Sequence, residues 1–200
     1  MVEQRDIDII LNNPIDWELF RNKTVLVTGA TGRLGMYIVE AINKADIDWN
    51  LNVTILALAR NEKKMQDVFG ESLKLPNIHP IVQDITEPIR WDGPVHYIFH
   101  TAGAASPQDF TNWPVDTLWG HIQGTRNVLE LAREKKAEKI LYVSTVEVYG
   151  EWKSEQGIKE DDMGPMHCDN ARACYPEAKR MCETMLASYE AQYDIPYIGV

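Results

Sequence analysis

The sequence predicts an α/β fold: a doubly wound parallel sheet with helices on both faces. Three features predict it. Short β-branched runs alternate with longer amphipathic stretches along most of the chain. Those runs are apolar throughout, the pattern of strands covered on both sides, where a half-exposed strand would alternate. The first of them passes into a helix through a glycine-rich turn, Thr28-Gly29-Ala30-Thr31-Gly32-Arg33-Leu34-Gly35.

Residues 1–22 read as an appendage. Asp6–Leu11 suits a short helix ended by Asn12-Asn13-Pro14, and a second short helix covers Trp17–Arg21. From residue 23 the order is regular. Thr24–Thr28 (TVLVT) is a buried strand, and Gly29–Gly35 the turn. The helix after it runs over Met36–Asn43, with Met36, Ile38, Val39 and Ile42 at helical spacing. Val53–Leu58 is the second strand, Glu62–Gly70 a helix closed by glycine, and Ile78–Val82 the third strand. Val95–His100 is the fourth strand, Val115–Lys135 a long helix and Lys139–Ser144 the fifth strand. Arg172–Tyr193 is a second long helix, whose Met181, Met185, Tyr189 and Tyr193 are expected on the sheet. Tyr197–Val200 opens a sixth strand. A core strand is an unusual place for a domain to end, so residues 23–200 are expected to be a dinucleotide-binding domain truncated within strand six, its C-terminal substrate-binding part absent.

Composition narrows the function classes. The 200 residues carry 30 acids against 20 bases, a formal charge of −10, with 44% apolar residues. That is enough apolar content for one core and excludes a disordered chain. An acidic balance disfavours a nucleic-acid surface, which needs clustered Lys and Arg. No apolar run reaches the roughly 18 residues of a membrane span, and residues 1–10 lack the basic-then-apolar pattern of a secretory signal. Cys168, Cys174 and Cys182 are odd in number and form no CxxC pair, which argues against a disulfide framework and for a reduced, cytoplasmic setting. Cys174 is expected to be packed rather than nucleophilic. The five histidines show no metal-ligand spacing, so no metal is expected. Asn22-Lys23-Thr24 and Asn52-Val53-Thr54 fit the glycosylation sequon but have no secretory context.

The glycine turn is the first chemical signal. A helix N-terminus offers free N–H groups and a positive dipole end to a pyrophosphate, and glycines allow the tight turn and close backbone approach. A tight strand–helix turn without ligand would use the same residues. No Gly-Lys-Ser/Thr follows, so it is not a P-loop. In a Rossmann-like dinucleotide site the second strand ends at the ribose. There an acid accepts from the 2′-hydroxyl, whereas Arg60 suits a 2′-phosphate and points towards NADP over NAD. Asp84, after the third strand, suits the adenine amino group or, equally, a cap on the next turn.

Tyr175-Pro176-Glu177-Ala178-Lys179 puts Tyr and Lys at i and i+4 on one helix face. A free phenol, with pKa near 10, is a poor base at neutral pH. A neighbouring ammonium and a nicotinamide cation both favour the phenolate. Pro176 requires Tyr175 at the helix start, because proline fits only the first turn. The fifth strand leads into Ser144-Thr145-Val146-Glu147-Val148-Tyr149-Gly150. Thr145 stands at a carboxyl strand end, where open α/β sheets hold ligands, and Glu147 is a lone acid in an apolar stretch.

Glycine turn, Asp after strand three, hydroxyl after strand five and YxxxK follow in that order. The combination resembles the extended short-chain dehydrogenase/reductases, the NAD-dependent epimerase/dehydratases of nucleotide sugars, over about residues 23–200. Within them it is similar to the UDP-glucuronate decarboxylase branch, through Asp84-Ile85-Thr86-Glu87-Pro88, Ala105-Ser106-Pro107, residues 144–150 and Arg172-Ala173-Cys174-Tyr175-Pro176-Glu177-Ala178-Lys179-Arg180. The resemblance implies Thr145, Tyr175 and Lys179 as the catalytic set, with Glu147 as a substrate-side carboxylate. It implies cofactor contacts at Gly29, Thr31, Gly32, Arg33, Leu34, Gly35, Arg60, Asp84, Ile85, Thr101, Ala102, Gly103, Tyr175 and Lys179. It further implies a homodimer through the two long helices.

Four departures stand out. Arg60 replaces the usual acid, which puts NAD in doubt. Val146-Glu147 replaces the dehydratases' Asp-Glu pair, which disfavours 6-dehydration. His121 replaces the usual Asn beside Gly124-Thr125, and residues 1–22 lie outside the pattern. The chemistry implied is transient oxidation of the sugar at C4 with NAD or NADP and no net redox change, ending in decarboxylation or epimerisation. A net NADPH-dependent reductase of a small carbonyl and a non-catalytic dinucleotide-binding module are the alternatives.

Overall fold

The computed structural model describes residues 2–151 and 157–200. Six parallel strands form one sheet: β1 (Thr24–Thr28), β2 (Thr54–Ala59), β3 (Ile78–Val82), β4 (Tyr97–His100), β5 (Lys139–Tyr142) and β6 (Tyr197–Gly199). Their spatial order is β3-β2-β1-β4-β5-β6. The chain winds outward from β1 through β3, then returns to the other side of β1, so the strand order reverses between β1 and β4. Loops leaving two strands at such a reversal diverge and open a crevice.

Alternation along each strand feeds two cores, one per face. Val25 and Val27 of β1 meet Ile55 and Ala57 of β2 beneath α2 (Arg33–Trp49), through its Val39 and Ile42. Leu26, Leu56, Ile98 and Ile140 face the opposite way. There they meet α5 (Pro114–Lys135) through Val128 and Leu129, and α6 (Cys174–Tyr193) through Cys182 and Leu186. All five residues of β1 are buried, as its β-branched run requires.

Several elements differ from expectation. The helix after the glycine turn begins at Arg33 and extends to Trp49, where Asn50 ends it in the left-handed conformation. The helix α3 (Glu62–Phe69) stops at Gly70, which carries φ +48° as the expected glycine closure. A short helix, α4 (Pro107–Asn112), was not expected. On α6, Met185 and Tyr189 pack towards the sheet side, but Met181 and Tyr193 are exposed. A four-residue step turns about 400° on a helix, so a ladder of such steps drifts off one face by about 40° each time.

Residues 4–20 lie against α2. In α1 (Gln4–Leu11) Ile7 is buried, Tyr37 donates to Asp6 at 2.7 Å, and Trp17 stacks on Trp49 with ring centroids 6.0 Å apart. The two sequon asparagines serve turns: Asn22 and Asn52 both have positive φ, and the Asn52 amide donates to the Asn22 side chain at 2.8 Å.

Candidate active site

The crevice between β1 and β4 is a cleft of about 1420 Å³. Its first end is made of backbone. Gly29 has φ +66°, and a Cβ there would lie 2.8 Å from Ala102 N and Cα, so the loops after β1 and β4 touch at the floor. Gly32 is the N-cap of α2, and no side chain caps the N–H groups behind it. Gly35 packs so closely that a Cβ would collide with the Gly29 carbonyl and reach within 2.8 Å of Ala30 Cα. Free N–H groups at a helix N-terminus, approached through glycine, suit a pyrophosphate. The residues present therefore fit a dinucleotide.

Of the cofactor positions expected from sequence, Gly29, Thr31, Gly32, Arg33, Arg60, Asp84, Ile85, Thr101, Ala102 and Gly103 line this cleft. Leu34 and Gly35 lie behind it in the first turn of α2, Leu34 exposed and Gly35 buried. Asp84 accepts from Thr86 N at 2.9 Å and Thr86 Oγ1 at 2.7 Å, so it does cap the next turn. Those bonds, with the charge of Arg60 nearby, hold its carboxyl below the usual range.

A second cluster, made of side chains, adjoins the cleft through His121, whose ring packs on Gly103 and bonds Ala104 O, while Tyr175, Lys179, Thr145 and Glu147 are not themselves among the lining residues. Tyr175 is the second residue of α6 and Pro176 the third, as the proline requires. The Tyr175 ring stacks on Phe110 of α4 at 4.2 Å between centroids and meets the edge of His121 of α5 at 5.3 Å. Lys179, one turn later, is buried and donates to Val143 O at 2.7 Å. Burial pulls its pKa down to about 8. Thr145 caps the short turn Val146–Tyr149, accepting from Glu147 N at 3.3 Å. Glu147 is paired with Arg172 at 3.0 Å, and that guanidinium lies 4.8 Å from the Phe110 ring centroid. Glu147, Arg172, Phe110, Tyr175 and His121 thus form one continuous run of contacts: an ion pair, a cation over a ring, a stacked pair and a T-shaped pair. Cys174 is buried, its Sγ 3.7 Å from Phe110 O, and burial raises its thiol pKa.

A buried hydrogen-bond chain joins the cleft to this cluster. Ala102 N donates to Thr28 Oγ1 at 3.3 Å, and Thr28 Oγ1 meets His100 Nδ1 at 2.8 Å. His100 Nε2 meets Thr125 Oγ1 at 3.1 Å, Thr125 donates to Cys182 Sγ at 3.1 Å, and Cys182 to His121 O at 3.4 Å. Because Thr125 spends its proton on Cys182, it receives one from His100 Nε2, which leaves Nδ1 to accept from Thr28. Burial lowers the His100 pKa to about 3, so the ring is neutral at physiological pH.

Sequence reasoning missed the lining that α5 gives the cleft. Trp113, Asp116, Thr117 and Trp119 line it from the start of α5, and a helical stretch gives no sign of which face meets a ligand. It also missed Phe110. The Ser106-Pro107-x-Asp109 pattern that starts α4 was legible: the Ser106 hydroxyl donates to Asp109 Oδ2 at 2.9 Å and accepts from Asp109 N at 3.2 Å.

The chain matches the NAD dependent epimerase/dehydratase family over residues 25–200. It belongs to that family. As a family member it is 31% identical over 174 residues to UDP-glucuronic acid decarboxylase 6 of Arabidopsis thaliana, covering 87% of this chain and 48% of the relative. It is 32% identical over 172 residues to UDP-glucuronic acid decarboxylase 1 of Danio rerio, covering 85% and 38%. The chain therefore spans about half or less of the length of these curated relatives. In fold it is similar to UDP-N-acetylglucosamine 4-epimerase from Methanobrevibacter ruminantium, with a TM-score of 0.71 at 22% identity over 90% of this chain and 54% of that one. It is similar also to UDP-glucuronic acid 4-epimerase from Bacillus cereus in complex with NAD, with a TM-score of 0.67 at 21% identity over 88% and 54%. These agree with the family and the parallel fold expected from the motifs. No helix among the described residues is long and apolar enough to cross a membrane.

Proposed function

We propose that the intact protein modifies a nucleotide sugar, oxidising a ring carbinol transiently with a bound nicotinamide dinucleotide, as an enzyme of the decarboxylase or epimerase type. One observation carries this reading: Tyr175 and the buried Lys179 stand one turn apart on α6, with Tyr175 packed against Phe110 and His121 beside a dinucleotide-sized cleft. Residues 23–200 are then the dinucleotide-binding domain, and residues 1–22 an extension clipped to α2.

The glycine turn would hold the pyrophosphate, Arg60 and Asp84 the adenosine, and residues 101–103 the cofactor's inner face. When bound, the dinucleotide supplies reversible two-electron oxidation of the carbinol carbon. Tyr175, as phenolate, takes the hydroxyl proton and later returns it. Lys179, one turn on and held by Val143 O, has a pKa pulled down by burial to about 8, which lets it pass a proton near neutrality. Thr145 hydrogen-bonds the same sugar hydroxyl. Glu147, with its partner Arg172, borders the sugar. Arg60 on the cleft wall supports NADP, and this also favours a second reading, a net reductase of a small carbonyl. The exposed Val115 and Met181 on the two long helices support a homodimer through them.

The test is incubation of the intact protein with UDP-glucuronate, UDP-glucose and dTDP-glucose, with products identified by mass spectrometry and NMR. Conversion of one of them without net loss of dinucleotide is expected. Steady oxidation of NADPH with a small ketone, and no sugar product, would select the reductase instead. Titration with NAD and NADP decides the role of Arg60.

A further inference from the structure

The segment leaving β5, residues 143–148, carries Thr145 and Glu147, and α6 holds it by three bonds. Lys179 Nζ donates to Val143 O at 2.7 Å, Arg180 Nε donates to Val148 O at 2.5 Å, and the Ser144 hydroxyl donates to Glu183 Oε1. The last of these involves an acid that the catalytic reading does not use. Glu183 stands four residues after Lys179, so the two side chains share one face of α6. Their partners, Val143 and Ser144, are adjacent in the chain. The two bonds therefore form a clamp: one rung holds Val143 O against the ammonium, and the other fixes the residue immediately before Thr145. Ser144 is fully engaged in this, its N–H donating to Val200 O at 2.6 Å and its hydroxyl to Glu183.

Glu183 is half-buried, and among the described residues no cation lies within ion-pair distance of it. Arg180, three residues before it, is committed to Val148 O, Gly164 O and Glu177. A carboxylate partly withdrawn from water needs compensation, and Lys179 is the cation one turn before it. The same holds in reverse. The other titratable groups facing Lys179 are Tyr142 of β5, whose ring centroid is 4.6 Å from Nζ, Cys182 of its own helix, His100 at the end of β4 and His121 of α5. Burial lowers the two histidines to about 3 and about 4 and raises the Tyr142 phenol and the Cys182 thiol, so all four are uncharged near neutrality. Glu183 is left as the charge opposite the buried ammonium.

We propose that Glu183 is a positioning residue of this site: through Ser144 it fixes the strand exit that bears Val143 O and Thr145, and it gives the Lys179 ammonium its counter-charge. This deepens the nucleotide-sugar reading and rests on it.

The experiment uses the intact protein and two variants that separate the bond from the charge. Glu183→Gln keeps an acceptor for Ser144 and removes the charge. With isotope-labelled lysine followed by NMR, and Lys179 assigned through Lys179→Met, the Lys179 titration midpoint is expected to fall by about half a unit or more. Ser144→Ala keeps the charge and removes the tie. Its kcat is expected to fall about tenfold, with KM and dinucleotide affinity unchanged, because Thr145 and Val143 O lose their placement and not their chemistry. A Lys179 midpoint that stays put in Glu183→Gln, or a lower Tm with unchanged kcat in Ser144→Ala, would make Glu183 a structural tie and overturn the proposal. Failure of the wild-type protein to convert UDP-glucuronate, UDP-glucose or dTDP-glucose removes the nucleotide-sugar reading instead, and the Lys179 midpoint, read without substrate, still decides whether Glu183 acts on Lys179.

Discussion

The glycine-turn end of the cleft and the Tyr175 cluster beside it are built from different materials. At the glycine turn the functional groups are backbone N–H groups, brought together by seven consecutive residues at one strand–helix junction. In the Tyr175 cluster they are side chains from four separated segments: α4, α5, the turn after β5 and the start of α6. A backbone site is all-or-none, because its groups exist only while the chain keeps one path. A side-chain site can be taken apart group by group. Substitutions should therefore act by collision at one end and by graded loss of chemistry at the other.

The largest effect expected is at Tyr175. Tyr175→Phe keeps the ring that stacks between Phe110 and His121 and removes only the hydroxyl. Turnover of the intact protein should fall about 10²–10⁴-fold, the worth of a positioned acid–base group, with dinucleotide affinity held. A Phe variant with near-normal turnover would show that the phenol is not the base. The matching test at the other end is Gly35→Val. With no room beside the Gly29 carbonyl, it should cost about 3 kcal/mol of stability by denaturant unfolding and abolish dinucleotide binding together with it. Gly120→Ala is the control. Nothing lies within 4 Å of its would-be Cβ, so the helix should gain about 0.5–1 kcal/mol.

The same contrast explains what could be read from sequence. Apolar runs placed all six strands, and the glycine spacing located the backbone end of the cleft, because contiguous signals survive in a linear text. Tyr175 and Lys179 were legible for the same reason: one helical turn brings them together without help from the fold. Phe110 and Thr117 were not. Phe110 becomes the partner of Tyr175 only when α4 docks beside α6, and Thr117 is distinguished from other helical threonines only by the bond it lacks. His121 was visible as a departure from the family's Asn. Its contact with Tyr175, and the proton order running from Ala102 to its carbonyl, needed the tertiary structure.

Lys179 sharpens the comparison through pH. Burial lowers its pKa from 10.5 to about 8 in the folded protein. The unfolded chain therefore binds the extra proton in that window, and stability rises with pH across it. Lys179's contribution is fully present above about 10.5 and is lost as pH falls through about 8. Relative to Lys179→Met, the wild-type protein should gain roughly 3 kcal/mol between pH 8 and 10.5 in urea titrations. A flat difference would mean that the ammonium is solvated and not buried against Val143. No such dependence belongs to the glycine turn, whose groups do not titrate.

The smallest loss expected is at Phe110. Phe110→Leu removes a stacked ring 4.2 Å from Tyr175 and the surface over which Arg172 lies, while a comparable volume remains. The loss should be about 0.5–1.5 kcal/mol in stability, the worth of one aromatic pair. Its functional effect should be selective. Tyr175 keeps its hydroxyl and its His121 contact but loses the face that fixes the ring's tilt, so kcat should fall several-fold while dinucleotide affinity, set by backbone groups at the far end, stays unchanged. If dinucleotide affinity fell in step with kcat, the buried chain from Ala102 through His100 to His121 would be coupling the two ends, and they would have to be treated as one site.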